Sequence, residues 1–253
     1  MQEIKTILTL SYFHMRSRYR KTLAGFIWVI ANPIINFTVQ AIVFKTILKI
    51  QIQNYPAFLL SGLLPWFFIS QTITSLAGAL VNARELLLSF KIKPSTIVGS
   101  QVVDNFFNYI CASLLLMIIL MISGLMKLNA MGLFLFIPNS ILLFAFVFNI
   151  STMISFLHVF FRDIQFVAGF VMNLAFFITP IFYKREFLSP SYQWIVDYNL
   201  FYPFIEVFNF TLHQLNYGEW FLAFLKCLLI NVIVYLLLKL MVKYKMKDFY
   251  INV

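Results

Sequence analysis

Apolar positions in this chain fall in long charge-free runs, and the charged ones are crowded between them. Residues 23–44, 50–83, 105–126, 128–161 and 164–183 contain no Asp, Glu, Lys or Arg, and 220–242 contains only Lys226 and Lys239. Each run supplies the roughly 20 apolar residues that a helix needs to cross a bilayer. The pattern predicts an all-α polytopic membrane protein with six transmembrane helices. Two segments depart from it. In residues 1–22 the apolar side chains Ile4, Ile7, Leu8, Tyr12, Met15 and Tyr19 recur at helical spacing. Around them lie Lys5, His14, Arg16, Arg18, Arg20 and Lys21. That is a cytoplasmic amphipathic helix with its bases toward anionic headgroups. It lacks the short apolar core and cleavage site of a signal peptide. A helix packed on protein would show the same stripe, and the two readings are compatible.

The second departure is 184–219. It is rich in aromatic side chains yet broken by Pro190, Asn199, Pro203 and Gly218. As a single crossing it would carry the C-terminal lysines to the wrong side. Two crossings would need about 40 unbroken apolar residues. A broken re-entrant helical hairpin on the outer side fits both constraints. Non-helical backbone at that depth must be satisfied by protein or a water-filled cavity, so this segment is expected to act as an outer gate, through Tyr198, Asn199, Tyr202, Pro203 and Glu206. An aromatic loop lying on the surface is the alternative.

Composition agrees with one membrane domain over 1–253. The chain is 62% hydrophobic and 11% charged, against roughly 25% charged residues in soluble domains. With both termini cytoplasmic, the inside segments hold thirteen Lys and Arg and the outside segments six, the positive-inside bias of a multi-pass inner-membrane protein. The net charge of +10 therefore reflects topology. Bases that bind nucleic acid would gather on one soluble face, so no nucleic-acid partner is expected.

The chemistry is narrowed by what the chain lacks. There is no GxxxxGK[ST] phosphate loop. His14, His158 and His213 lie on different segments, and Cys111 and Cys227 in separate spans, so no metal is expected. Ion-driven carriers place ionisable groups along the path, and none of the nine acidic residues sits deep in a main span. What remains is uncharged polarity. Trp28, Asn32, Asn36 and Gln40 follow at intervals of four and share a helix face. Ser70 to Ser75 and the series Asn149, Thr152, Ser155 add further polar patches. Such groups either bond across helices or face water. As a set, with Trp66 and Tyr183, they suit a path for a hydrated, uncharged polymer, whose sugar rings stack on aromatics.

Four motifs then stand in register. The segments Arg18-Tyr19-Arg20-Lys21-Thr22-Leu23-Ala24-Gly25-Phe26-Ile27-Trp28 with Asn32-Pro33, and Gly62-Leu63-Leu64-Pro65-Trp66-Phe67-Phe68, are followed by Phe160-Phe161-Arg162-Asp163-Ile164 and Phe177-Ile178-Thr179-Pro180-Ile181-Phe182-Tyr183. Together they resemble the ABC-type polysaccharide export permeases of the ABC-2 superfamily, the O-antigen exporter membrane subunits most closely. Capsule and teichoic acid permeases are near relatives. One departure is that Asn199 is followed by Leu200 where the family often has proline.

The resemblance implies a homodimeric half-transporter without enzymatic activity of its own. ATP and Mg would bind two copies of a separate ABC ATPase subunit. Docking is expected on the cytoplasmic coupling segment 82–98, with Arg84, Glu85, Lys91 and Lys93. The cargo would be a polysaccharide on a polyprenyl diphosphate lipid, met by Arg16, Arg18, Arg20, Lys21 and Arg162 at the membrane interface. A small-molecule or lipid exporter of the same superfamily and a membrane enzyme of glycan assembly are the competing classes.

Overall fold

A computed structural model describes residues 2–19, 25–90, 92–126 and 130–253. Among them no strand occurs; the described chain is helices and their connections. Helix α1 spans Gln2–Tyr19 and α2 spans Gly25–Ile42, extended by a π turn over Val43–Ile47. Then come α3 (Tyr55–Leu76), α4 (Ala79–Asn82), α5 (Arg84–Phe90), α6 (Pro94–Ile122), α7 (Ala130–Phe160) and α8 (Ile164–Ile178). After two short 3-10 turns follow α9 (Gln193–Asp197), α10 (Tyr202–Asn209), a π turn over Phe210–Gln214, and α11 (Tyr217–Asn252).

Four of these helices, α3, α6, α7 and α11, are long and apolar enough to cross a membrane. Helix α8 has only 15 residues, about 22 Å at 1.5 Å per residue, because Thr179 turns extended ahead of Pro180. Prolines also set helix starts: Pro56 and Pro94 stand in the first turns of α3 and α6, where a missing N–H costs nothing. Pro33, Pro65 and Pro138 lie inside α2, α3 and α7.

Helix α3 is the centre of the bundle, with 78% of its apolar window buried, against 28% for α11 at the edge. It packs on α6, α7, α8 and α10. Gly62 permits its closest approach, since a Cβ there would come within 3.0 Å of the Ile181 carbonyl oxygen. Aromatic stacking continues the core: Phe146 lies over Phe204 at 4.2 Å and Phe44 over Phe182 at 4.5 Å. Of the polar residues of α7, Ser155 ties a neighbouring helix and Thr152 bonds within its own. The Leu80 amide donates to Ser155 Oγ at 3.2 Å, and Thr152 Oγ1 donates to Phe148 O at 2.7 Å. These groups are buried within the chain.

The stretch 82–98, where docking is expected, is only partly accessible. Pro94, Thr96, Ile97 and Val98 are buried in the first turns of α6, so the exposed portion ends before them.

Candidate functional site

Three regions hold the side chains singled out from the sequence, and the fold treats them differently. The first is the outward face of α2. Trp28 is 57% exposed, and Asn32 and Asn36 are exposed beside it. The Asn36 amide donates along its own helix to Asn32 O at 2.9 Å. Gln40, one turn on, is half-buried, and its Oε1 is buried without a partner. Ile35, Val39 and Ile42 are exposed alongside. This face is left uncovered by the rest of the chain. Trp66 behaves otherwise. Only 2% exposed, it meets Phe201 edge-on at 5.7 Å and Phe176 at 6.1 Å. It is enclosed by the core and joins α3 to α8 and to the segment at Phe201.

The second region is the segment 184–219. Its two halves are unequal. The first half is short and surface-lying, held by an ion pair in which Arg185 Nη2 meets Asp197 at 2.7 Å and 2.9 Å. Tyr198, at its tip, is 85% exposed. The second half, α10, is driven into the core by Phe204, Ile205, Val207 and Phe208, all buried. Pro203 is buried in its first turn. Asn199 makes the turn between them. Its Oδ1 accepts from the amides of Phe201 at 2.8 Å and Tyr202 at 3.2 Å, while its Nδ2 donates to Thr179 Oγ1 at 2.9 Å. The side chain performs an Asx turn, which explains how the chain reverses here without a following proline. Tyr183 closes the end of α8 by donating to the carbonyls of Phe177 and Ile178 at 3.1 and 3.2 Å. Tyr202 and Glu206 lie one turn apart and line the same cavity beside α11.

Sequence reading missed the residue that anchors this segment. Asn139 of α7 is buried. Its Nδ2 donates to Val207 O and Thr211 Oγ1, both at 3.3 Å, and its Oδ1 accepts from Trp220 Nε1 at 3.0 Å. One amide thereby ties α7, α10 with its π turn, and α11. Its position directly after Pro138, inside α7, was the available signal.

The third region is the surface around α5. Arg84 and Glu85 are exposed, and so are Leu88 and Phe90, whereas Leu87 is fully buried and fastens the helix. An exposed Phe (71%) and Leu (47%) next to two free-standing charges make an amphipathic knob. The two apolar members were not anticipated. Lys91 lies outside the described residues. Lys93 is not part of the knob: its Nζ forms an ion pair with Glu3 of α1. Helix α1 packs along α6, with Ser11 buried and Ile7 against Gly99, while Ile4, Leu8 and Tyr12 remain exposed on its other side. The stripe is thus divided between a side packed on α6 and an uncovered side. Arg16 is exposed in its last turn, and Arg162 is exposed in the tight turn between α7 and α8. Arg18 falls within α1, and Arg20 and Lys21 lie outside the described residues.

The hydrogen bond and charge of Lys93 hold the Glu3 carboxyl below its ordinary range. A lowered carboxylate pKa contributes stability above the unfolded value and loses it as pH falls through the folded one. The small difference in melting temperature between the chain and Glu3→Gln should thus be present at pH 7 and vanish on acidification. A difference that grows toward pH 3 would contradict the pairing.

Residues 5–212 match the family described as ABC-2 type transporter. The chain is 26% identical over 196 residues to the O-antigen export system permease protein RfbA of Klebsiella pneumoniae, covering 73% of this chain and 71% of that protein. To the protein of the same name from Myxococcus xanthus it is 28% identical over 178 residues, covering 70% and 67%. It is also 28% identical over 123 residues to the polysialic acid transport protein KpsM of Escherichia coli, about half of either chain (47%). With the match spanning α1 to the π turn before α11, this chain belongs to the ABC-2 type transporter family.

Proposed function

We propose that the chain is the membrane subunit of an ATP-driven exporter that carries a lipid-linked polysaccharide, of the O-antigen type on a polyprenyl diphosphate, across the bacterial inner membrane. Two copies form the path, and two copies of a separate ABC ATPase, which bind ATP and Mg, dock from the cytoplasm. The carrying observation is the face of α2. Trp28, Asn32 and Asn36 are exposed on an otherwise apolar helix. The Asn36 amide bonds only within its own helix, and amide groups left in hydrocarbon short of partners are costly, so the face suits a polar occupant, a second copy, or both at a dimer seam. Amide hydrogen bonds and an indole platform match sugar hydroxyls and C–H faces without any buried charge. The similarity to the RfbA proteins supports the cargo.

In this reading the bundle crosses six times, through α2, α3, α6, α7, α8 and α11, with both termini inside. The segment 184–219 dips from the outer side as a re-entrant gate. The basic residues Arg16, Arg18 and Arg162 meet the diphosphate at the inner interface, where guanidinium forks bind phosphate oxygens bidentately. ATP binding at the partner moves α5, and α1 follows because it is packed on α6. The similarity to KpsM supports a second cargo class, a capsule-type polysaccharide.

The test is affinity purification from native membranes in mild detergent, with subunits identified and counted. A two-plus-two complex with an ATP-binding protein is expected. A chain that purifies alone and acts without ATP overturns the reading. Complementation of an O-antigen export mutant and of a capsule export mutant then separates the two cargoes.

A further inference from the structure

Between α10 and α11 lies a cavity of about 580 Å³ whose walls are chemically opposed. One wall is the exposed apolar strip Leu222, Leu225 and Leu229 of α11. The other carries Arg185, Tyr202 and Glu206, and Glu219 closes the end in the first turn of α11. An adjoining space of about 290 Å³ shares those four residues and adds Asn209. Each volume is at or near the size of small-molecule sites. Two groups within this arrangement are incompletely paired. Lys226 stands on the apolar wall of α11, exposed, and makes no ion pair within the described residues. A cation on a lipid-facing helix is costly unless it reaches water or an anion. Asn209 is only 8% exposed, and its Oδ1 accepts no hydrogen bond. Buried acceptors of this kind need a donor.

The site therefore suits an anion at Lys226 and, between Glu206 and Asn209 of α10 and Glu219 at the start of α11, a hydrogen-bond-donating cation. We propose that the cavity binds a zwitterionic glycerophospholipid with a primary amine, of the phosphatidylethanolamine class. Its phosphate sits at Lys226, its ammonium lies among Glu206, Glu219 and Asn209, and its acyl chains run along Leu222, Leu225 and Leu229. An anionic headgroup would bring its charge beside Glu206 and Glu219 with no ammonium of its own to offset them. A choline headgroup has no N–H for Asn209 Oδ1. Assignment to the outer leaflet rests on the topology proposed above; the binding itself does not. The lipid would occupy the space behind α10 and so brace the hairpin from its rear.

The full chain is purified in mild detergent and placed in nanodiscs holding equal parts phosphatidylethanolamine, phosphatidylglycerol and phosphatidylcholine. Native mass spectrometry then counts retained lipids. Retention of phosphatidylethanolamine about tenfold above the others is expected, from charge-assisted bonds of ~1.5–3 kcal/mol. K226L and E219Q should each remove most of that preference, and K239L, further along α11, should keep it. Equal retention of the three lipids, or a preference unchanged in K226L and E219Q, overturns the proposal. Because the readout is lipid on the chain alone, failure to find an ATPase or export activity would sink the transport reading and leave this result untouched.

Discussion

Introducing aspartate at both Leu88 and Phe90 is expected to abolish export and release the ATPase subunit while the chain still inserts and folds. Both side chains are exposed on α5, so the fold does not depend on them, whereas the neighbouring Leu87 is fully buried. An apolar knob of this kind, flanked by Arg84 and Glu85, is the usual composition of an interface anchor with a polar rim. Truncating a central aromatic anchor costs about 2–4 kcal/mol, and opposing charge adds desolvation. The affinity for the ATPase should therefore fall at least ~30-fold. Removing Arg84 and Glu85 together by alanine should act more mildly, uncoupling hydrolysis from export with part of the complex retained, since rim charges govern encounter more than affinity. Co-purification and ATP-dependent export in membrane vesicles read both outcomes. Normal export by the double aspartate variant would remove α5 from the docking surface.

Asn139→Leu should produce the largest loss of stability from a single uncharged change. Leucine nearly preserves the volume, but it deletes an acceptor and a donor shared by α7, α10 and α11. The group left worst off is Trp220 Nε1, which had donated to Asn139 at 3.0 Å. The Val207 carbonyl still accepts from Thr211 Oγ1 at 2.9 Å. A cost of about 2 kcal/mol follows from one unsatisfied donor and the lost interhelical bonds. Thermal unfolding in detergent should register it. Hydrogen exchange should rise selectively over 202–214, because the amide is what holds that segment to α7. Adding Trp220→Phe, which removes the stranded N–H, should recover about half the loss. Equal exchange everywhere would mean that packing alone holds α10.

Charge-free length was enough to recognise α3, α6, α7 and α11, because hydrocarbon tolerates little else along a buried or lipid-facing helix. It overestimated α8, whose apolar run continues past Ile178 as irregular chain. There Tyr183 and the Tyr55 hydroxyl, 3.4 Å from Phe182 O, serve carbonyls that a longer helix would have satisfied internally. The polar residues show the limit more sharply. Asn36 on α2 and Thr152 on α7 look alike in sequence, each polar within an apolar run. One is exposed and the other is buried against its own bundle. Periodicity says which residues share a face and is silent on what that face meets. Lys93 illustrates the same limit at the surface, where Glu3, ninety positions away, took the charge expected to serve docking.

The chain's membrane-spanning class and its family-like motifs were readable from residue order, since each is a property of local composition or spacing. The unequal halves of 184–219, the Asn139 anchor, the exposed Leu88 and Phe90, the burial of Trp66 and the two-faced cavity beside α11 were decided by tertiary structure alone. Each depends on which side chains from distant segments arrive at the same place, and the energy of a polar or apolar group is set by that neighbourhood rather than by its own identity.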